Sequence, residues 1–320
     1  MTENISKQPP QIDPEGPKRL FSTIQPATAA FIALIGIFIA YQIGGAILTL
    51  LIIGSDFKKA DVNQMRLLTM GGQIMLMLLP TLLLAKYVYP FNITQILRAN
   101  VPKSKEIGLF ILGLVILTPL LQSFMILQNS FLETISNFSP VLEKVMGILD
   151  ELNKMVEQTY GELLKANNVL EASFVIFVVA VVPSICEEVL FRGFVQKSFE
   201  QKFKPYFSIF ITSLFFGLYH FNPYGLVALI VLGFYFGYAA HKSDSIVIPM
   251  ILHFINNFLA VMAFFVLGSD ELIETNVKPK GSLIPQIMVF IFSAFLFVVF
   301  ILYLNKNFYK AKMQEGDNLL

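Results

Sequence analysis

Apolar positions along this chain fall into eight runs separated by shorter polar stretches. They lie at about residues 27–53, 67–89, 107–128, 171–187, 207–221, 224–240, 246–267 and 284–305. A helix needs roughly 20 consecutive apolar residues to cross a bilayer. The fourth, fifth and sixth runs fall short of that and border polar residues. Such segments are expected where helices pack inside a bundle or beside a water-accessible cavity. The pattern therefore predicts an all-α, polytopic membrane bundle of about eight transmembrane helices.

The longest non-spanning stretch, 129–170, has its own periodicity. Ile148, Leu149, Leu152, Met155 and Val156 recur at helical spacing among Asp150, Glu151, Lys154 and Glu157. An amphipathic helix on the outer surface follows, either a connector lying on the bundle or a lid over a site. The chain then divides into a polar, Pro-rich tail (1–25), three N-terminal spans (26–128) and the outer connector (129–170). A core (171–267) and a last span with its tail (268–320) complete it. The first apolar run starts late and is too long for the apolar part of a cleaved signal peptide.

Composition narrows the class. Of 320 residues, 55% are hydrophobic and 14% charged, with a mean hydropathy of +0.68, against about a quarter charged in soluble domains. The bilayer is the expected partner, and a net charge of +1 argues against a nucleic-acid surface. With the N-terminus inside, inner segments hold 15 of the 23 Lys and Arg residues. The positive-inside rule then puts both termini in the cytoplasm. Compact loops on a short chain fit a bacterial inner membrane. The single cysteine, Cys186, leaves no internal disulfide and no Cys-based zinc site.

Ionisable residues within membrane segments are costly and mark functional sites. Glu187, Glu188 and Arg192 follow the fourth run directly. Glu188 and Arg192, four apart, share a helix face and can pair, while Glu187 is turned about 100° away. A carboxylate held this way can act as general base toward water. The alternative is a charge cluster at the inner end of a helix. His220 ends the fifth run, and His253 and Asn257 share a face of the seventh. An imidazole and a carboxamide can stabilise an oxyanion, or simply bond neighbouring helices. His241 falls in an inner stretch, HKSDS, and reads as a solvated turn residue. Pro183 predicts a kink before the carboxylates. In the N-in arrangement His220 reaches the outer side if the fifth run spans fully, so a common site requires that helix to be short, tilted or sunk in a cavity.

Taken together, Glu187-Glu188-x-x-x-Arg192, Phe216-x-x-x-His220 and His253-x-x-x-Asn257 resemble the CAAX-protease and bacteriocin-processing family of intramembrane proteases. The resemblance covers about residues 170–265. It implies a helical membrane core around a wet cavity and hydrolysis of a peptide bond in a membrane-associated protein or peptide. Glu187 and His220 would activate water, His253 and Asn257 would stabilise the oxyanion, and Glu188 and Arg192 would complete the carboxylate network. Cofactor use is open: two histidines and a glutamate can ligate a divalent metal such as zinc, yet no HExxH is present. Two other readings remain, a non-proteolytic membrane scaffold or regulator and a proton-coupled transporter. The lack of an internal repeat counts against the transporter.

Overall fold

The computed structural model describes residues 24–54, 61–89, 93–267 and 281–309. The tail expected at 1–25 and the end of the last domain therefore lie almost wholly outside the described residues. Everything regular within them is helical. Leaving aside the single turn Ile93–Ile96, the helices are α1 (Pro26–Ile53), α2 (Val62–Val88), α3 (Ser104–Ser136), α4 (Pro140–Leu164), α5 (Val169–Glu200), α6 (Pro205–Tyr219), α7 (Leu226–Ser243), α8 (Val247–Leu267) and α9 (Ile284–Tyr309). Seven of them are long and apolar enough to cross a membrane, and α6 is a shorter apolar helix. The polytopic bundle read from hydropathy is the observed one.

Two boundaries differ from the hydropathy reading. Residues 129–136, at the start of the stretch assigned to the connector, belong to α3, which runs for 33 residues; α4 alone is the amphipathic helix. More consequentially, the fourth run does not end at Glu187. α5 continues for 32 residues to Glu200, about 48 Å at 1.5 Å per residue. It continues because its polar residues recur every four positions on one face and are bonded there. Arg192 Nη1 donates to Glu188 Oε1 at 3.0 Å, and Gln196 Nε2 donates to Glu200 Oε1 at 2.9 Å.

The same face holds α5 to α7. Arg192 Nη2 donates to the Gly233 carbonyl at 2.9 Å and Gln196 Nε2 to the Gly237 carbonyl at 3.0 Å. Both glycines admit close approach: a Cβ on Gly237 would lie 2.8 Å from Gln196 Oε1, and one on Gly233 would lie 2.9 Å from the Phe216 ring. Buried carbonyls reached by side chains in this way stay satisfied without water. Near the other end of α5, Pro183 has no N–H to return to the Val179 carbonyl, and the helix widens into a π-helical segment at Phe177–Val181.

Around the carboxylate face, one apolar core joins α1, α2 and α5 through Leu34, Met77, Phe191 and Phe194, with Phe216 from α6. A second joins α3, α7, α8 and α9 through Phe110, Leu117, Phe236, Leu252 and Phe300. His241, read as a turn residue, lies instead in the last turn of α7, with Nδ1 3.4 Å from Glu200 Oε1. The helix outlasts the apolar run because Glu200 and Arg98, an ion pair beside it, receive its polar end.

The α3–α7–α9 contact gives a direct test. Gly113 packs where the Tyr235 hydroxyl, bonded to the Phe110 carbonyl at 2.7 Å, meets Phe300. Gly113→Ala should overlap both and cost about 1–3 kcal/mol, lowering the melting temperature in detergent. Gly108→Ala on the same helix, with open space around its Cβ, should leave melting unchanged or raise it.

Candidate active site

Depth decides whether the sequence-selected residues can meet. Glu187 lies 13 residues before the end of α5, and His220 lies 15 after the start of α6. The two helices are joined by four residues and run antiparallel, so both side chains arise at nearly the same height. α6, at about 22 Å, is too short to cross a hydrocarbon core of about 30 Å. His220 therefore does not reach the far side, and the obstacle raised by a fully spanning fifth run disappears. The chain turns at 220–225 instead. Asn222 Oδ1 accepts from Gly225 N at 2.7 Å, and Gln128 Nε2 donates to the Tyr224 carbonyl at 2.8 Å, so the turn is internally satisfied.

At this level two groups of side chains stand apart. In the first, His220 Nε2 lies 3.9 Å from Glu187 Oε2. His220 Nδ1 is 2.7 Å from the Phe216 carbonyl, which can only accept. Nδ1 therefore carries a hydrogen, and in the neutral imidazole Nε2 presents its lone pair toward the carboxylate. Phe216, four residues back on α6, thus fixes the histidine's tautomer. Its ring also packs on the Arg192 guanidinium, 4.4 Å from the ring centre, a cation–π contact.

The second group is drier. Glu188 and Arg192 are fully buried and His253 is 3% exposed. Glu188 Oε1 accepts from Arg192 Nη1 at 3.0 Å and sits 2.8 Å from His253 Nδ1. One carboxylate oxygen therefore serves both the cation of its own helix and the imidazole of α8. The ring of His253 is held between Phe236, 5.6 Å away between centroids, and Phe216 at 5.9 Å. Asn257, one turn further along α8, donates from Nδ2 to the Val179 carbonyl at 3.0 Å. That carbonyl is the one to which Pro183, having no N–H, returns no i→i−4 bond. The amide keeps its second hydrogen for another acceptor.

Glu187, His220 and Asn257 all line one cavity of about 490 Å³. An adjoining cavity of about 300 Å³ shares Glu187 and His220 with it. Glu188, Arg192 and His253 do not line either; they form the buried layer behind. The sequence-selected residues thus divide into three at the cavity wall and three that brace them.

Sequence reasoning passed over the rest of the wall. Tyr41 from α1, Gln73 from α2, and Thr159 and Tyr160 from α4 line both cavities. The available signal was polar residues interrupting apolar runs: Tyr41-Gln42 and Gln73 each lie in a π-helical segment, a distortion common at functional sites. α4 borders both cavities through Val156, Thr159 and Tyr160. Asn153 is buried and donates to Glu157 at 2.8 Å, while Ile148, Leu152 and Met155 are exposed. The helix is tied at its middle, by Tyr224 to Asp150, and at its C-terminal end, by buried Arg66 to the Leu163 and Lys165 carbonyls.

For a metal, the donor set does not fit. Among the described residues no three His, Cys, Asp or Glu side chains come together as an ion would need. The second histidine is engaged by Glu188 through Nδ1, so only Glu187 and His220 face each other. A zinc site takes three protein ligands or more.

The layering predicts a separation of effects. Glu188→Ala leaves Arg192 as an unpaired charge in a dry interior, a loss of about 3–5 kcal/mol, and should sharply reduce the yield of monodisperse protein. Glu187→Ala should leave yield and melting near wild type.

Residues 169–259 match the family model described as Rce1-like, type II CAAX prenyl endopeptidase Rce1-like. All six motif residues lie inside that stretch, and the family is the one their spacing resembles. No curated protein and no solved structure matches the chain.

Proposed function

We propose that the chain, whose residues 169–259 match the CAAX-endopeptidase family model, is an intramembrane endopeptidase of glutamate type. It hydrolyses a peptide bond in a membrane-associated protein or peptide. The observation that carries this reading is the pair Glu187 Oε2 and His220 Nε2, two acceptors 3.9 Å apart on a cavity wall. One water placed about 2.8 Å from each gives one hydrogen to either acceptor. Its remaining lone pair is then free to attack.

In this mechanism Glu187 takes a proton from water as the oxygen bonds to the substrate's carbonyl carbon. His220 orients the water through the tautomer set by Phe216. Negative charge develops on the former carbonyl oxygen. Asn257 supplies the amide hydrogen that Val179 leaves over, and His253 supports the same charge from behind, with Glu188 compensating whatever positive charge the imidazole takes on. The proton held by Glu187 passes to the leaving nitrogen as the C–N bond breaks. Arg192 holds Glu188 in place through its bond to Oε1.

The positive-inside count favours cytoplasmic termini in a bacterial inner membrane. The proline-interrupted, carboxylate-bearing α5 and the tied-down α4 suit a site sheltered from bulk water.

The test uses the full chain in proteoliposomes with a quenched fluorescent peptide ending in a farnesylated Cys-aliphatic-aliphatic-Xaa tail, alongside its non-lipidated twin. Glu187→Gln and His220→Ala should each lower turnover by about 10²–10⁴-fold with unchanged melting. Full cleavage by Glu187→Gln would refute the assignment, and a scaffold would show no cleavage by wild type at all. A second check is chelation: 1,10-phenanthroline should leave the rate unchanged, because no step passes through a metal.

A further inference from the structure

We infer that Gln73 is a substrate-binding residue, whose side-chain oxygen accepts a backbone N–H of the peptide beside the bond that is cut. The inference rests on the endopeptidase reading for its choice of ligand. It adds a residue from α2, outside the 169–259 stretch.

Three observations converge. Gln73 is only 5% exposed, and its Oε1 is buried with no hydrogen-bond partner among the described residues. Gln73 lines both cavities, and Glu187 and His220 line the same two. Its helix is held there: the segment Gln73–Leu78 packs directly on the stretch of α5 that carries the two carboxylates. A buried acceptor without a donor is unfavourable in a low-dielectric interior, and natural structures satisfy nearly all such groups. The space that Gln73 borders is the cavity.

The chemistry of the donor follows from the neighbours. Glu187 and His220 already claim the hydrogens of the attacking water, so the wall around them is rich in acceptors and favours a ligand that brings N–H groups. A peptide supplies one per residue, proline excepted. A helix side chain offering its oxygen takes the place that an edge strand's carbonyl takes in other peptide sites. It fixes the register of the peptide without reading its side chains. Such a contact binds ground state and transition state alike, so its loss appears in KM more than in kcat.

The experiment separates this from the reading on which it rests. Farnesylated Cys-aliphatic-aliphatic-Xaa peptides are made with each backbone N–H near the tail replaced in turn by an ester oxygen, which deletes one donor. Their affinities are measured by fluorescence anisotropy on Glu187→Gln protein and on the same protein carrying Gln73→Met, which keeps the length and removes the acceptor. One ester position should weaken binding about tenfold in the first protein and leave it unchanged in the second. Gln73→Leu gives the same comparison if the methionine variant is not monodisperse.

If no ester position weakens binding, or if the same position weakens it equally in both proteins, Gln73 accepts no peptide N–H and the inference falls. Equal loss in both is also the result expected if water alone satisfies the glutamine. Failure of the endopeptidase reading would show elsewhere, as intact peptide after incubation with wild type. The binding comparison does not need turnover and would still decide the role of Gln73.

Discussion

A single oxygen, Glu188 Oε1, holds the centre of this protein together. It lies in a fully buried side chain, between the Arg192 guanidinium at 3.0 Å and His253 Nδ1 at 2.8 Å. A charge in such a place is tolerable only when paired and hydrogen-bonded. That requirement fixes α5 against α8 directly. It also fixes α5 against α7, because Arg192 spends Nη2 on the Gly233 carbonyl. The three helices cannot slide past each other without stranding an ion. Glu187, one residue away on α5, inherits that rigidity while facing a cavity instead of the interior.

The arrangement explains why adjacent glutamates have different work. On a helix, neighbours diverge by about 100°, so one carboxylate can be structural and dry while the next is exposed to a ligand. The two histidines are divided in the same way. His253 is spent on Glu188; His220 uses Nδ1 on the Phe216 carbonyl and keeps Nε2 for the cavity. Phe216 separates the two layers, with its ring on Arg192 and its carbonyl on His220. A Phe four residues before a His therefore has a physical reason for its spacing.

Much of this was legible in the amino-acid sequence, and the misses have a common origin. Eight apolar runs and the three motif segments were visible because spans and ionisable intrusions are local signals. The Glu188–Arg192 pair followed from i,i+4 geometry alone. Hydropathy ended the fourth span at Glu187 because it counts Glu188, Arg192, Gln196 and Glu200 as polar wherever they are. It has no knowledge of the Gly233 and Gly237 carbonyls that receive two of them. His241 was assigned to a loop for the same reason. The depth of His220, in contrast, was recoverable: 13 residues down α5 and 15 up α6, across a four-residue turn, already place it beside Glu187. Tyr41, Gln73 and Tyr160 were not recoverable, since single polar residues in separate spans meet only through tertiary packing.

The amphipathic helix α4 shows most clearly why sequence periodicity underdetermines placement. A stripe of Ile148, Leu152 and Met155 marks one face as apolar, and in a soluble protein that face would turn inward. Here those three are exposed, while Asn153, Leu163 and Leu164 are buried. In a bilayer the apolar exterior is lipid, so inward and apolar are no longer the same direction. α4 turns a mixed face inward, with Val156, Thr159 and Tyr160 in the wall beside Glu187. Asp150 in its middle is bonded to Tyr224 in the turn after His220, and Arg66 of α2 holds its C-terminal end. The amphipathic helix is thus fastened to the turn that follows His220 and to α2, whose Gln73 lines the same cavity.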